Sequence, residues 1–130
     1  MKRVRLPEFI EVLVPTRDRS QRPLSPAKQR EWKERQARYL LETLKVTGFQ
    51  ESKREGVWSQ QRKDLREYDP KADRLYLVRE RVHVMRASCT LAQLDAFRKG
   101  GEALLVQMGR ALNQEAVAYE TREGLTILTL

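Results

Sequence analysis

The sequence contains one cysteine and one histidine among its 130 residues. Because Cys89 stands alone, an intramolecular disulfide and a cysteine-rich zinc site are both excluded. His83 restricts acid–base and nucleophilic schemes to those that need a single imidazole. Apolar runs such as 103–106 are far shorter than the about 20 residues of a membrane-spanning helix. These absences favour a reducing, cytoplasmic setting and no membrane partner.

Positive charge is concentrated in the first half of the chain. Residues 1–66 carry 17 Lys and Arg against 9 Asp and Glu, whereas residues 67–130 carry 9 of each class. A one-sided excess creates a field that attracts polyanions, above all nucleic acid. The net charge of +8 therefore indicates a class of partner rather than a reaction.

Two helices have clear start signals. Ser25 followed by Pro26 is typical of an N-cap and a first helical position, and this helix is expected to run to about Val46 and end at Gly48. Thr90 and Gln93 form a capping box for the second helix, which Gly100–Gly101 should kink or break. The inward stripe of the first helix is predicted at Trp32, Gln36, Tyr39, Leu40, Thr43 and Leu44.

Strands are predicted from alternating and β-branched residues. In the first strand Ile10, Val12 and Val14 share one face. In the third, Arg79, Arg81 and His83 share a face and Val82 and Val84 share the other. The predicted strands cover residues 9–14, 49–58, 74–86, 116–120 and 125–130, with a long polar loop over 59–73.

The order of these elements is strand, helix, strand, strand, helix, strand, strand. It fits one ferredoxin-like α+β sandwich over residues 1–130: an antiparallel sheet with two helices on one face and a C-terminal hairpin. The segments Val14–Asp18 and Asn113–Val117 resemble small uncharacterised bacterial proteins of predicted ferredoxin-like topology. The resemblance implies the fold and carries no activity.

Basic loops are the leading candidates for a binding surface. Arginine forks fit phosphate oxygens bidentately, and clustered arginines neutralise several phosphates at once. The alternative is a solvated surface that serves solubility. The predicted nucleic-acid-binding residues are Arg17, Arg19, Arg22, Lys53, Arg54, Arg62, Lys63 and Arg66.

The face of Arg79, Arg81 and His83 is the second candidate. We expect it to lie on the sheet face that the helices leave open, where His83 with two arginines could cleave RNA without a metal. An ordinary half-buried histidine is the competing interpretation. Leu77, Met85, Phe9 and Leu13 are expected on the same face, and such a mixed patch favours a homodimer or a protein partner there.

No cofactor or metal site is predicted. The sequence has no Gly-rich phosphate loop, CxxC pair or HExxH helix. Asp18, Glu80 and Glu115 are too far apart in the sequence to indicate a cation site.

Three functional hypotheses follow, and whether the protein is an enzyme stays open among them. The first is a small basic module that contacts RNA or DNA phosphates as an accessory or regulatory subunit. The second is a metal-independent ribonuclease of toxin-like or defence-associated type. The third is a structural assembly subunit whose basic surface is incidental.

Overall fold

A computed structural model describes residues 1–59 and 77–130, without the side chains of 56–59 and 77–79. Within these ranges one antiparallel sheet has the strand order β2-β3-β1-β4-β5. Helical segments connect β1 to β2 and β3 to β4, as the ferredoxin-like α+β sandwich requires, so the predicted fold class is confirmed. The strands are β1 (Glu8–Val14), β2 (Gln50–Ser59), β3 (Leu77–Cys89), β4 (Ala116–Thr121) and β5 (Gly124–Thr129).

The central strand β1 anchors the hydrophobic core. Ile10, Val12 and Val14 all point towards the helices and are fully buried, as their alternation predicts. On one side β1 pairs with β3, and on the other with β4, where Tyr119 lies opposite Val12. Burial of apolar surface is the dominant favourable term in folding, and β1 contributes three fully buried side chains to it.

The first helix, α1 (Pro26–Arg38), begins where its sequence signals place it. The Ser25 hydroxyl accepts the N–H of Lys28 at 3.2 Å, and Pro26 occupies the first helical position. The predicted end at Gly48 is wrong. A π-helical turn, Tyr39–Thr43, follows α1, and the chain leaves the helix at Lys45, which adopts φ +56°. Of the predicted inward stripe, Trp32, Gln36, Leu40 and Leu44 are buried, Tyr39 is half-buried and Thr43 is exposed.

The second helical segment consists of α2 (Leu91–Ala96), a π-helical turn (Phe97–Gly101) and α3 (Glu102–Ala111). The capping box is confirmed: the Thr90 hydroxyl accepts the Gln93 N–H at 3.2 Å, and the Gln93 side chain accepts the Thr90 N–H at 2.9 Å. The predicted interruption takes the form of the π-helical turn. A Cβ on Gly101 would lie 2.2 Å from the Phe97 ring, so the ring packs there only because glycine leaves it room.

The strand β3 presents the opposite face to the one predicted. Its alternation is as expected, but Met85, Ala87 and Cys89 lie in the core beneath the helices. His83 shares that face, because it pairs with Val14 of β1 and contacts Gln29 of α1. The prediction that Arg81 and His83 lie on the open face, with Met85, is therefore wrong.

Phe9 and Leu13 do lie on the open face and are half-buried there. Val82 and Val84 replace the predicted basic residues on that face and are buried. Contact with a second copy or a partner protein through this face stays a prediction. No helix in residues 1–59 and 77–130 has the length and apolar character needed to cross a membrane.

Candidate ligand-binding site

The loop between β1 and α1 is organised by Asp18. Its carboxylate Oδ1 accepts the N–H groups of Ser20 at 2.8 Å and Arg22 at 3.0 Å. The Asp18 N–H in turn donates to the Arg22 carbonyl at 2.9 Å, and Gln21 adopts φ +64° at the tip. These bonds give the basic loop a fixed shape, as aspartate-initiated turns do.

This loop is docked on the connection between α3 and β4. The Arg19 N–H donates to the Asn113 carbonyl at 2.8 Å, and the Gln114 side-chain amide donates to the Arg17 carbonyl at 2.6 Å. The Arg19 guanidinium also lies 3.7 Å from Glu115. The two segments that carry the resemblance to small bacterial proteins are thus in direct contact.

Glu80 of β3 fixes the start of the same loop. Its Oε1 accepts the backbone N–H groups of Thr16 and Arg17, both at 3.0 Å. Burial raises the pKa of the Glu80 carboxyl, although the two hydrogen bonds and Arg17 oppose that shift. The Thr16 hydroxyl donates to the Arg81 carbonyl on the same strand. Two contacts with β3 therefore set where the Arg17 backbone lies.

His83 is held by α1. Its Nε2 lies 2.9 Å from Gln29 Oε1, and since that oxygen only accepts, Nε2 carries the hydrogen. Burial lowers the pKa of the ring below its usual value, and Lys33 and Lys53 lower it further, while Glu51 opposes them. The ring is therefore neutral near neutral pH, with Nδ1 as its lone-pair nitrogen.

These residues surround a cavity of about 420 Å³ between the basic loop, α1 and the β2–β3 pair. Exposed side chains of Arg17, Lys53 and Arg81 form part of its rim, and His83 and Gln29 lie deeper. The volume is within the range of small-molecule sites, about 300–1,000 Å³. The cavity is lined by Thr16, Arg17, Pro23, Gln29, Lys53, Glu55, Arg81, Val82 and His83.

The structure brings together members of all three predicted groups of site residues. Arg17 comes from the first basic loop, Lys53 from β2, and Arg81 and His83 from β3. Arg19 and Arg22 belong to the same loop as Arg17 but do not line the cavity.

Arg54 lies on the opposite side of β2 from Lys53 and is used within the protein. Its guanidinium donates to both oxygens of Glu11, at 3.0 and 3.2 Å, and Arg86 donates to the same carboxylate at 3.0 Å. Burial raises the pKa of Glu11, but the hydrogen bonds from Arg54 and Arg86 outweigh it and hold the pKa below its usual range. Arg54 therefore stabilises the open face of the sheet.

The remaining predicted residues lie outside what the structure describes. Arg62, Lys63 and Arg66 fall in the interval 60–76. Arg79 pairs with Val57 through the β2–β3 register, but its side chain is outside the described set.

The cavity residues that were not among the predicted site residues are Thr16, Pro23, Gln29, Glu55 and Val82. Gln29 lies one helical turn before Trp32 and two turns before Gln36, so extending the buried stripe of α1 backwards would have found it. Thr16 gave no such signal, because its place at the cavity follows from the pairing of the chain beyond β1 with Glu80 and Arg81.

The cavity can bind a polar ligand of mixed charge. Three cations and the Glu55 carboxylate stand around a neutral imidazole and an amide. Guanidinium groups donate to anionic oxygens and also stack on flat rings. The Thr16 hydroxyl hydrogen is engaged by a backbone carbonyl, so this hydroxyl is not presented as an activated nucleophile.

Comparison with known proteins gives structural neighbours only. No protein-family model matches the chain, and no curated protein is significantly similar to it. Two solved structures of a phage SAM lyase have a similar fold. The one in complex with S-methyl-5'-thioadenosine is 15% identical with a TM-score of 0.60, and the apo one is 14% identical with a TM-score of 0.63. Each likeness covers 100% of this chain and 95% of the lyase chain.

These neighbours correct the functional hypotheses drawn from charge. They are enzymes that act on SAM, S-adenosylmethionine, and they do not match a nucleic-acid-binding regulator or a ribonuclease. Both of those hypotheses are contradicted, and the structural assembly subunit gains no support. The charge excess did not identify the partner, because several cations of the first half form ion pairs within the protein, as Arg54 does with Glu11.

Proposed function

We propose that this protein binds SAM in the 420 Å³ cavity and cleaves it as a lyase, releasing S-methyl-5'-thioadenosine. The observation that supports this is the likeness to the two phage SAM lyase structures, which extends over the whole of this chain and 95% of theirs. A shared fold alone hosts many functions, so the cavity must also suit the ligand.

The lining of the cavity suits a nucleoside. Arg17 and Arg81 stand at its rim, and guanidinium planes stack favourably on purine rings. Guanidinium N–H groups also donate to hydroxyl oxygens, so the same two side chains can bind the ribose. The cavity volume of about 420 Å³ lies within the range of sites that bind small molecules of this class.

The proposed reaction cleaves one carbon–sulfur bond of SAM. In the proposed step the bond between the sulfonium sulfur and the γ carbon of the aminobutyrate chain breaks, and sulfur keeps the electron pair. The γ carbon then bonds to an oxygen of the substrate's own carboxylate, or the chain transfers a β proton to solvent and becomes an alkene. Neither route consumes water or a second substrate.

The sulfonium charge disappears as this bond breaks. Cations such as Lys53 and Arg81 therefore raise the energy of the sulfonium group in the bound substrate more than in the transition state, which lowers the barrier. Neutral His83 adds no further repulsion at neutral pH.

The test is to incubate the purified protein with SAM and separate the products by reversed-phase chromatography with mass detection. We expect time-dependent formation of S-methyl-5'-thioadenosine in equal amount to the SAM lost. Mass detection of the four-carbon product distinguishes ring closure from elimination.

A matched pair of variants links that activity to the cavity. Lys53→Gln should lower turnover about tenfold or more, on the scale of removing one electrostatic contact to a reacting charge. Lys99→Gln, at an exposed position of the π-helical turn 97–101, should leave it unchanged. Wild-type protein that forms no thioether product, or equal activity in both variants, would contradict the proposal.

A further inference from the structure

A second, smaller hollow of about 170 Å³ adjoins the main cavity. The two share Lys53 and His83 as a common wall. The small hollow is lined by Lys33, Glu51, Ser52, Lys53, His83, Val84 and Met85.

Three of the elements that wall the main cavity, α1, β2 and β3, also wall the small hollow. On α1, Lys33 lies one turn beyond Gln29, which contacts His83. On β2, Glu51 lies two residues from Lys53, so the two side chains point to the same side. The β2–β3 register places Lys53 opposite His83 and Glu51 opposite Met85. The hollow is therefore a continuation of the main cavity along the sheet.

The charges of the small hollow are of both signs. Lys33 and Lys53 supply two ammonium groups from α1 and β2, and Glu51 supplies a carboxylate. All three lie near enough to His83 to act on its pKa. A pair of ammonium groups suits a carboxylate ligand, and an adjacent carboxylate suits a ligand ammonium. Together they match the zwitterion of an α-amino acid.

The two compartments also match the two parts of SAM. Its nucleoside is the larger part and its amino-acid chain the smaller, and the sulfonium sulfur joins them. If the nucleoside lies in the main cavity and the amino-acid chain in the small hollow, the sulfur that joins them lies at the shared wall beside His83.

We propose that the small hollow is the amino-acid subsite, with the substrate carboxylate at Lys33 and Lys53, its ammonium at Glu51 and its sulfonium beside His83. This inference rests on the proposed function. It assigns Lys33 and Glu51 to the amino-acid chain of SAM, so these two residues do not contact the thioether product, which lacks that chain.

The test measures the affinity of SAM and of S-methyl-5'-thioadenosine separately by titration calorimetry. Lys33→Gln and Glu51→Gln should each weaken SAM binding about tenfold, the scale of one charge-assisted hydrogen bond, and should leave thioether binding within twofold. Lys28→Gln and Glu34→Gln, at exposed positions of α1, are the matched controls and should change neither affinity. Since the mutated side chains are at most half-buried, circular dichroism melts should confirm that all variants fold.

The outcomes separate the two proposals. If both ligands bind and the Lys33 and Glu51 variants weaken them equally or not at all, the subsite is wrong while the main cavity stands. If SAM binds with the predicted pattern but is never cleaved, the subsite stands and the lyase activity fails. If the wild-type protein binds neither ligand, both proposals are overturned.

Discussion

At the residue scale, His83 combines a fixed orientation with a depressed pKa. Gln29 holds its Nε2 at 2.9 Å, and burial together with Lys33 and Lys53 lowers the pKa of the ring below its usual value. A neutral ring tolerates a neighbouring sulfonium, whereas an imidazolium would repel it. The protonation state of this one side chain should therefore control binding of the charged ligand alone.

We predict that affinity for SAM falls as the pH is lowered from about 7 through the depressed pKa, below the ordinary value of about 6.5. Protonation adds a positive charge beside Lys33 and Lys53, against which Glu51 is the opposing carboxylate. The neutral thioether should bind equally across the same range. Titration calorimetry at several pH values tests this with His83→Asn, which should bind SAM without that pH dependence. An unchanged pH profile in this variant would place the titrating group elsewhere.

At the element scale, neighbouring residues of β2 have different roles because their side chains point to opposite faces of the sheet. Lys53 points to the cavity, and Arg54 crosses the open face to Glu11, which is 3% exposed. Arg86 of β3 completes this cluster and lies over the Phe9 ring, with its guanidinium carbon 3.8 Å from the ring centroid. The cluster links β1, β2 and β3 across the sheet, so it should matter for stability and not for ligand binding.

We predict that Glu11→Gln lowers the free energy of unfolding by about 1–3 kcal/mol, the range for losing charge-assisted hydrogen bonds. The folded-state pKa of Glu11 lies below its usual 4.5. Its contribution is therefore present above about pH 4.5 and is lost as pH falls through the lower folded-state value. Urea unfolding at neutral and acidic pH measures both effects, with exposed Glu42→Gln as the control. Equal losses in the two variants at neutral pH would mean that the cluster stabilises nothing.

The two helix starts and the faces of β3 show how much of this fold the sequence predicts. Capping signals at Ser25 and Thr90 located both helix starts, since a cap is set by a few adjacent residues. The exposed face of β3 was assigned incorrectly, because both of its faces carry apolar residues. The register that sets Val14 opposite His83 decides which face the helices cover. That register depends on contacts between distant segments, which periodicity within one strand does not contain.

The candidate site shows the same limit. The sequence analysis selected Arg17, Lys53, Arg81 and His83, which line one cavity, but it grouped them with arginines such as Arg19 and Arg54 that do not line it. Arg17 reaches the cavity because Glu80 binds the backbone at the end of β1, and Lys53 reaches it because β2 pairs with β3. The sequence shows which residues are charged, and the sheet topology determines which of them line the same cavity.

At the scale of the whole molecule, the net charge of +8 makes opposite predictions for the two kinds of ligand. A protein that binds nucleic acid releases counterions, so its affinity falls steeply as salt is added. SAM carries a net positive charge at neutral pH and approaches a positive protein against its field. Salt screens that repulsion over distances beyond about 8 Å, while contacts inside the site are screened less.

We therefore predict that raising sodium chloride from about 50 to 300 mM leaves SAM affinity unchanged or up to about twofold tighter, on the scale of a screened long-range field. The neutral thioether should show no dependence, which makes it the internal control for effects of salt on the fold. Calorimetric titrations of both ligands across that range give the comparison directly. A steep loss of SAM affinity with salt would mean that the lysines of the small hollow, and not the field of the whole molecule, dominate the energy of binding.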